Sequence, residues 1–176
     1  LDLRPGLRLL DIGCGTGVLL REIGNVLPRD FVVGIDLSRR MLAVARERVQ
    51  SPPRLLRADV HDLPFEAGSF DAVVSSSSFH FWLAPDRGLQ ESARVLRPGG
   101  RLVITDWCDD FWACRLCDHL LRLVSRAHQR AYTSRQCATL LREAGYELES
   151  VDRYKINWLW GLMTAKASRQ LQEPPA

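Results

Sequence analysis

No uncharged stretch of this sequence is long enough to cross a membrane. The longest, residues 72–85, contains four serines and a histidine, whereas a spanning helix needs about 20 apolar residues. Runs of basic residues are also missing. Lys and Arg number 24 against 21 Asp and Glu, a net charge of +3, and apart from Lys155 and Lys166 the cations are arginines scattered along the chain. That pattern argues against a nucleic-acid partner. The five cysteines (Cys14, Cys108, Cys114, Cys117, Cys137) are an odd number in a 176-residue chain large enough to hold itself together. A disulfide framework is not expected, and a reducing compartment, the cytoplasm, is. No repeat, low-complexity tract or linker precedes residues 170–176, which read as a flexible tail, so residues 1–169 form one domain. The first residues show neither an initiator Met nor a signal segment, and the sequence is expected to begin inside a longer chain or at an alternative start.

What the sequence does have is alternation of strand and helix. An apolar run over 7–12 ends at Gly13, and helical spacing follows over 18–27. A second strand is predicted over 31–35, then a helix capped by Ser38 and stopped by Pro52-Pro53. Strands follow over 54–58 and 70–75, a helix over 85–96, and a turn at Arg97-Pro98-Gly99-Gly100 that launches a strand over 101–105. Near-continuous apolar strands separated by amphipathic helices imply a doubly wound, mostly parallel α/β sheet. Downstream, a long helix over 109–130 precedes a capping box, Thr133 with Gln136, that opens a helix ended by Gly145. Strands over 146–154 and 157–166 have almost nothing between them, so the seven-stranded sheet should end in an antiparallel hairpin.

The first strand runs into Asp11-Ile12-Gly13-Cys14-Gly15-Thr16-Gly17. Glycines at the carboxyl end of a strand let the backbone turn sharply and lie bare against a ligand, and α/β sheets bind ligands at that edge. The next acid at a strand end, Asp36, follows Gly17 by 19 residues, where a carboxylate accepts from ribose hydroxyls. Both features point to a nucleoside. The dinucleotide fingerprint G-x-G-x-x-G would need glycine where Val18 stands, and no Lys-Ser/Thr follows the glycines as a phosphate-binding P-loop requires.

Residues 9–17 resemble motif I of the class I S-adenosylmethionine-dependent methyltransferases, and 33–38 (Val-Gly-Ile-Asp-Leu-Ser) resemble their acidic second motif. Residues 58–65 (Ala-Asp-Val-His-Asp-Leu-Pro-Phe) are similar to the adenine-binding segment. Residues 70–75 and 95–104 resemble the fourth and fifth strand motifs of the small-molecule branch that includes the ubiquinone and menaquinone methyltransferases. The resemblance implies a Rossmann-like fold, S-adenosylmethionine as cofactor and a small organic methyl acceptor. It brings Gly13, Gly15 and Gly17 against the sulfonium and methionine portion and Asp11 near the methionine amino group. It further implies Asp36 on the ribose diol, Leu37 against the adenine, Asp59 on the exocyclic amine, Val60 N–H on the ring, and Ser75 in the methionine pocket. For Asp11 and Ser75 a purely structural role stands equally open.

A sulfonium methyl is already activated, so alignment of the acceptor is the main requirement and a base is optional. His80, in Phe79-His80-Phe81-Trp82, is the candidate base, with packing among aromatics as the competing reading. Phe79, Phe81, Trp82, Trp107, Phe111, Trp112 and Tyr132 suit a ring-shaped or prenylated substrate, with ordinary burial as the competing reading; burial is the reading for Trp158 and Trp160 on the last predicted strand, and Trp107 and Trp112 stay open. Cys114 and Cys117 fall on a stripe with Leu120, Leu121, Val124 and His128 and read as small hydrophobes; no second CxxC or spaced His pair completes a metal site. Residues 75–79 read Ser-Ser-Ser-Ser-Phe, not the Asn/Asp-Pro-Pro-Tyr/Phe of methyltransferases that act on base or glutamine nitrogens. Two rival readings remain: a nicotinamide-dependent reductase, which Val18 and the lack of a Tyr-x-x-x-Lys pair count against, and a methyltransferase-like module that binds without turnover. The oligomeric state is not legible.

Overall fold

The sheet is built outward from β1 (Leu9–Ile12), whose side chains alternate between two apolar layers. The structure, a computed structural model, describes residues 3–124, 129–157 and 160–170. β2 (Val32–Asp36) and β3 (Arg54–Arg57) lie on one side of β1, and β4 (Phe70–Ser76) and β5 (Leu96–Trp107) on the other. All four neighbouring pairs are parallel, with Asp11 in register with Gly34 and Val74. β6 (Tyr146–Lys155) and β7 (Gly161–Arg169) complete the order β3-β2-β1-β4-β5-β7-β6, with β7 antiparallel to both neighbours. The doubly wound sheet with an antiparallel C-terminal hairpin is thus as expected.

Period-two alternation sends Leu10 and Ile12 into one layer with Val73, Phe79, Leu89, Leu102 and Tyr146, under α3 (Pro85–Val95) and α5 (Ser134–Glu143). Leu9 joins the other layer with Leu20, Leu42, Ala45 and Leu55, under α1 (Val18–Ile23) and α2 (Arg39–Arg48). Each fully buried aliphatic side chain stabilises the fold by about 1.5–3 kcal/mol relative to exposure. The cap residues behave as their chemistry requires. Ser38 Oγ accepts from Met41 N, and Thr133 with Gln136 forms the reciprocal capping box.

Three boundaries and one helix face depart from expectation. α1 stops at Ile23, because Gly24 and Asn25 turn the chain and only Leu27 returns to the core. β5 starts at Leu96, not 101: Phe70 pairs with Leu96 and Ala72 with Arg101, so residues 97–100 bulge within the strand, with Gly99 at φ +72°. Arg97 bonds Asp71 across this bulge at 2.7 Å. β7 begins at Gly161, which leaves Trp160 ahead of the strand and in ring contact with Trp107 at 5.1 Å, not simply buried on the strand. α4 (Trp112–Val124) buries Ala113, Cys114 and Asp118 and leaves Leu120 exposed, so the apolar stripe through Leu120 is incorrect. His128, Trp158, residues 171–176 and the side chains of Leu121 and Val124 lie outside the described residues.

Candidate functional site

The carboxyl ends of β1, β2, β3 and β4 gather the motif residues at one edge of the sheet. The loop after β1 is anchored by Cys14 N donating to Ile35 O (2.9 Å) and Gly17 N to Cys14 O (3.0 Å). Asp36 binds the loop directly: its Oδ2 accepts from Gly15 N at 2.9 Å and its Oδ1 from Ser38 N at 2.8 Å. The acid expected to hold a ribose therefore also sets the loop's shape, and its remaining lone pairs stay available to two hydroxyls.

The glycines divide the work. Gly13 has φ +70°, and a Cβ there would lie 2.4 Å from both Cβ and Oγ of Ser78, so only hydrogen leaves room for that side chain. A Cβ on Gly15 would meet nothing nearer than 4.0 Å, so its peptide is the bare one that a ligand can approach. At Gly17 a Cβ would lie 2.8 Å from Val49 and 3.2 Å from Ala45, which makes this glycine a contact that lets α1 approach α2.

Asp11 is buried, and neither carboxylate oxygen has a hydrogen-bond partner among the described residues. Burial, helped by the negative charge of Asp36, pushes its carboxyl up to about 7. An unpartnered buried carboxylate is costly unless a ligand completes it. Ser75 is equally buried but satisfied: its Oγ lies 2.7 Å from Ser78 Oγ, which donates to Ile12 O at 2.9 Å. Ser78 was not anticipated from the sequence, where four consecutive serines carry no signal to single one out. Leu37 is exposed beside Asp36, Val60 is buried under α3, and the Asp59 side chain is partly exposed.

Ser78, which rests on Gly13, leads directly into a short 3-10 turn over Phe79–Phe81. His80, two residues on, is buried and bound twice to Asp106: Nδ1 lies 2.7 Å from Oδ1, and its backbone N–H donates to Oδ2 at 3.0 Å. Trp107 N also donates to Asp106 Oδ1, at 2.6 Å. The Trp107 ring stacks on the imidazole at 4.8 Å, and Phe81 lies 3.9 Å from it. Asp106 is the second residue missed from the sequence; a carboxylate ending a strand 26 residues beyond His80 announces itself only through sheet register.

The thiols of α4 form no such centre. Cys114 Sγ accepts from Gly161 N at 3.2 Å and burial raises its thiol, and in α5 burial pushes Cys137 up to about 12. Among the described residues no group of three His, Cys, Asp or Glu side chains could hold a metal ion, and no helix is long and apolar enough to cross a membrane. A cleft of about 640 Å³ lies at the opposite edge of the sheet, near Arg8, Phe31, Arg54 and Phe70. None of the candidate site residues lines it, although Val33, Pro64, Phe65 and Phe70 of the motif segments do.

These features define a doubly wound α/β domain whose glycine loop and acids are gathered at the carboxyl edge of its sheet. The family model described as methyltransferase domain matches residues 10–104, more than half of the chain. The chain belongs to this methyltransferase family. It is 37% identical over 163 residues to an uncharacterized 37.1 kDa protein in transposon TN4556 of Streptomyces fradiae, covering 86% of this chain and 46% of that protein. It is 40% identical over 106 residues to a demethylmenaquinone methyltransferase of Symbiobacterium thermophilum, covering 57% of this chain and 42% of the relative. The chain thus spans less than half the length of these two relatives. Among solved structures, an S-adenosylmethionine-dependent methyltransferase from Mesorhizobium loti superposes with a TM-score of 0.81 at 23% identity, over 96% of this chain and 94% of that one; this likeness concerns the fold.

S-adenosylmethionine, the methyl donor of the family, fits the residues present. Its α-ammonium is the group that would complete the unpartnered Asp11 carboxylate. Its ribose diol suits Asp36, and its uncharged chain suits a loop with open space at Gly15 and no phosphate-binding lysine.

Proposed function

We propose that this chain transfers a methyl group from S-adenosylmethionine to a small organic acceptor with an oxygen, carbon or nitrogen nucleophile. The observation that carries the reading is the buried carboxylate of Asp11, which has no hydrogen-bond partner among the described residues, beside a glycine loop held by Asp36. When bound, S-adenosylmethionine supplies an electrophilic sulfonium methyl group and leaves as the neutral thioether. Asp11 and Asp36 anchor the two ends of the cofactor's polar framework, Leu37 covers its base, and Asp59 accepts from the adenine amine while Val60 N–H donates to the ring.

His80 acts on the acceptor. Held by Asp106 at Nδ1, the imidazole is the proposed general base, which takes the acceptor's proton as the new bond to carbon forms. Asp106 fixes ring orientation and stabilises the imidazolium. Phe81 and Trp107 pack on the imidazole and Trp160 packs in turn on Trp107, an aromatic surface that favours an acceptor with a ring or an apolar tail. The ubiquinone- and menaquinone-type resemblance and the Symbiobacterium relative's name agree with such a substrate. Scattered arginines without a basic run favour a small molecule over nucleic acid, and five free thiols favour the cytoplasm.

The test is calorimetric titration with S-adenosylmethionine, S-adenosylhomocysteine, NADH and NADPH, followed by transfer assays on quinols and phenols. Binding of the first pair alone, weakened in Asp36→Ala, supports the proposal. Binding of neither overturns it, and binding without transfer to any acceptor favours a module that holds the cofactor without turnover.

A further inference from the structure

His61 lies in the segment that follows β3, between the residues assigned to adenine and the start of α3. Its backbone N–H donates to Asp59 Oδ1 at 3.0 Å, and its ring Nδ1 lies 2.5 Å from the same oxygen. On the other side of the ring, Nε2 accepts from Ala84 N at 3.1 Å, immediately ahead of α3. That second bond settles the tautomer: a nitrogen that accepts from an amide carries a lone pair, so the proton sits on Nδ1 and is donated to Asp59.

The backbone bond alone closes the turn, and any residue except proline at 61 could supply it. The ring adds a second donor to the same oxygen and links it to a rigid element, since Arg87 of α3 also donates to His61 O at 2.8 Å. The ring's side chain is 17% exposed, against 46% for Asp59. Both bonds therefore occupy Oδ1, and Oδ2 receives no hydrogen bond among the described residues. The carboxyl is held below its usual range despite the opposing effect of burial, because His61 donates to it twice and Arg87 lies near.

We infer that His61 is a positioning residue for the cofactor base: it locks Asp59 so that Oδ2 is presented as an acceptor to the exocyclic amine of adenine. The inference rests on the proposed function and deepens it. A fixed, ionised acceptor distinguishes a 6-amino purine, which donates there, from a 6-oxo purine, whose oxygen would face the carboxylate. The coupling also runs outward. Ala84 and Arg87 tie the base-reading turn to the helix that follows the His80 segment, so adenine pocket and acceptor side share one support.

The experiment is binding of S-adenosylhomocysteine and of S-inosylhomocysteine, its 6-oxo counterpart, to the full chain and to three variants, with melting temperatures read alongside. Wild-type protein is expected to prefer the adenine compound by roughly ten- to a hundredfold, the range for a hydrogen bond to a charged group. His61→Asn places an amide N–H where Nδ1 stands and is expected to keep that preference. His61→Gln reaches the Nε2 position instead, and with His61→Ala it should bring the preference toward unity. An unchanged preference in Gln and Ala, or its loss in Asn with the melting temperature preserved, overturns the inference. Should Gln and Ala fail to fold, the Asn variant still decides. Wild-type protein that binds neither compound overturns the proposed function itself.

Discussion

His80 Nδ1 and Asp106 Oδ1 lie 2.7 Å apart with both side chains almost wholly buried, and the same carboxylate receives the His80 backbone N–H. A carboxylate that binds both the ring and the backbone of one histidine leaves that ring a single orientation. This is the arrangement of a base set by a second group, and it also packs the aromatic cluster.

The two roles separate in kinetics. His80→Ala is expected to lower methyl transfer by about 10²–10⁴-fold, the usual contribution of a positioned acid–base group, with cofactor affinity unchanged. Asp106→Asn should lower kcat and displace the pH profile, because one carboxamide oxygen replaces an acceptor that serves three N–H groups. A His80→Ala protein that transfers normally assigns the histidine to packing alone.

Asp11 makes the stability of the cofactor-free protein depend on pH. A carboxyl raised from 3.8 to about 7 on folding binds more protons in the folded than in the unfolded state between those values. Its contribution is therefore favourable below about pH 4 and is lost as pH rises toward 7. The loss amounts to a few kcal/mol at most, since each tenfold change in proton affinity is worth about 1.4 kcal/mol. Asp11→Asn should remove this dependence, so the variant's melting temperature should gain on wild type between pH 5 and pH 8. In the same variant S-adenosylhomocysteine should bind more weakly at pH 8, where wild type offers an anionic partner for the ammonium. Parallel melting curves for the two proteins across that range would refute the assignment.

Gly13 and Ser78 form a steric pair. Gly13→Ala combines a side chain at φ +70° with a 2.4 Å clash, which together should cost about 2–4 kcal/mol. The melting temperature should drop by about 5–15 °C. Ser78→Gly removes the clash but not the backbone strain, and loses the Ser78 hydrogen bonds, so Gly13→Ala should cost less in the Ser78→Gly background than in wild type; an equal cost in both backgrounds would show that the two residues do not meet.

Local chemistry made much of this protein legible in the sequence. Apolar periodicity marked the strands, Thr133 and Gln136 announced the start of α5, and the spacing from Gly17 to Asp36 implied a nucleoside loop, because each depends on residues adjacent along the chain. Bulges and faces were less legible. Residues 97–100 read as a turn but sit inside β5, since pairing with β4 continues on both sides of them. Leu120 fitted a helical stripe yet faces outward, because the stripe's orientation depends on what α4 packs against.

The sequence by itself determined the order of elements, the fold class and the identity of the loop and its acids, through short-range sterics and side-chain period. Only the tertiary structure decided which side chains those acids meet. It put Ser78 on Gly13, Asp106 on His80 and His61 between Asp59 and Ala84, because contacts across a sheet follow from strand register and helix packing, which no local run of residues encodes.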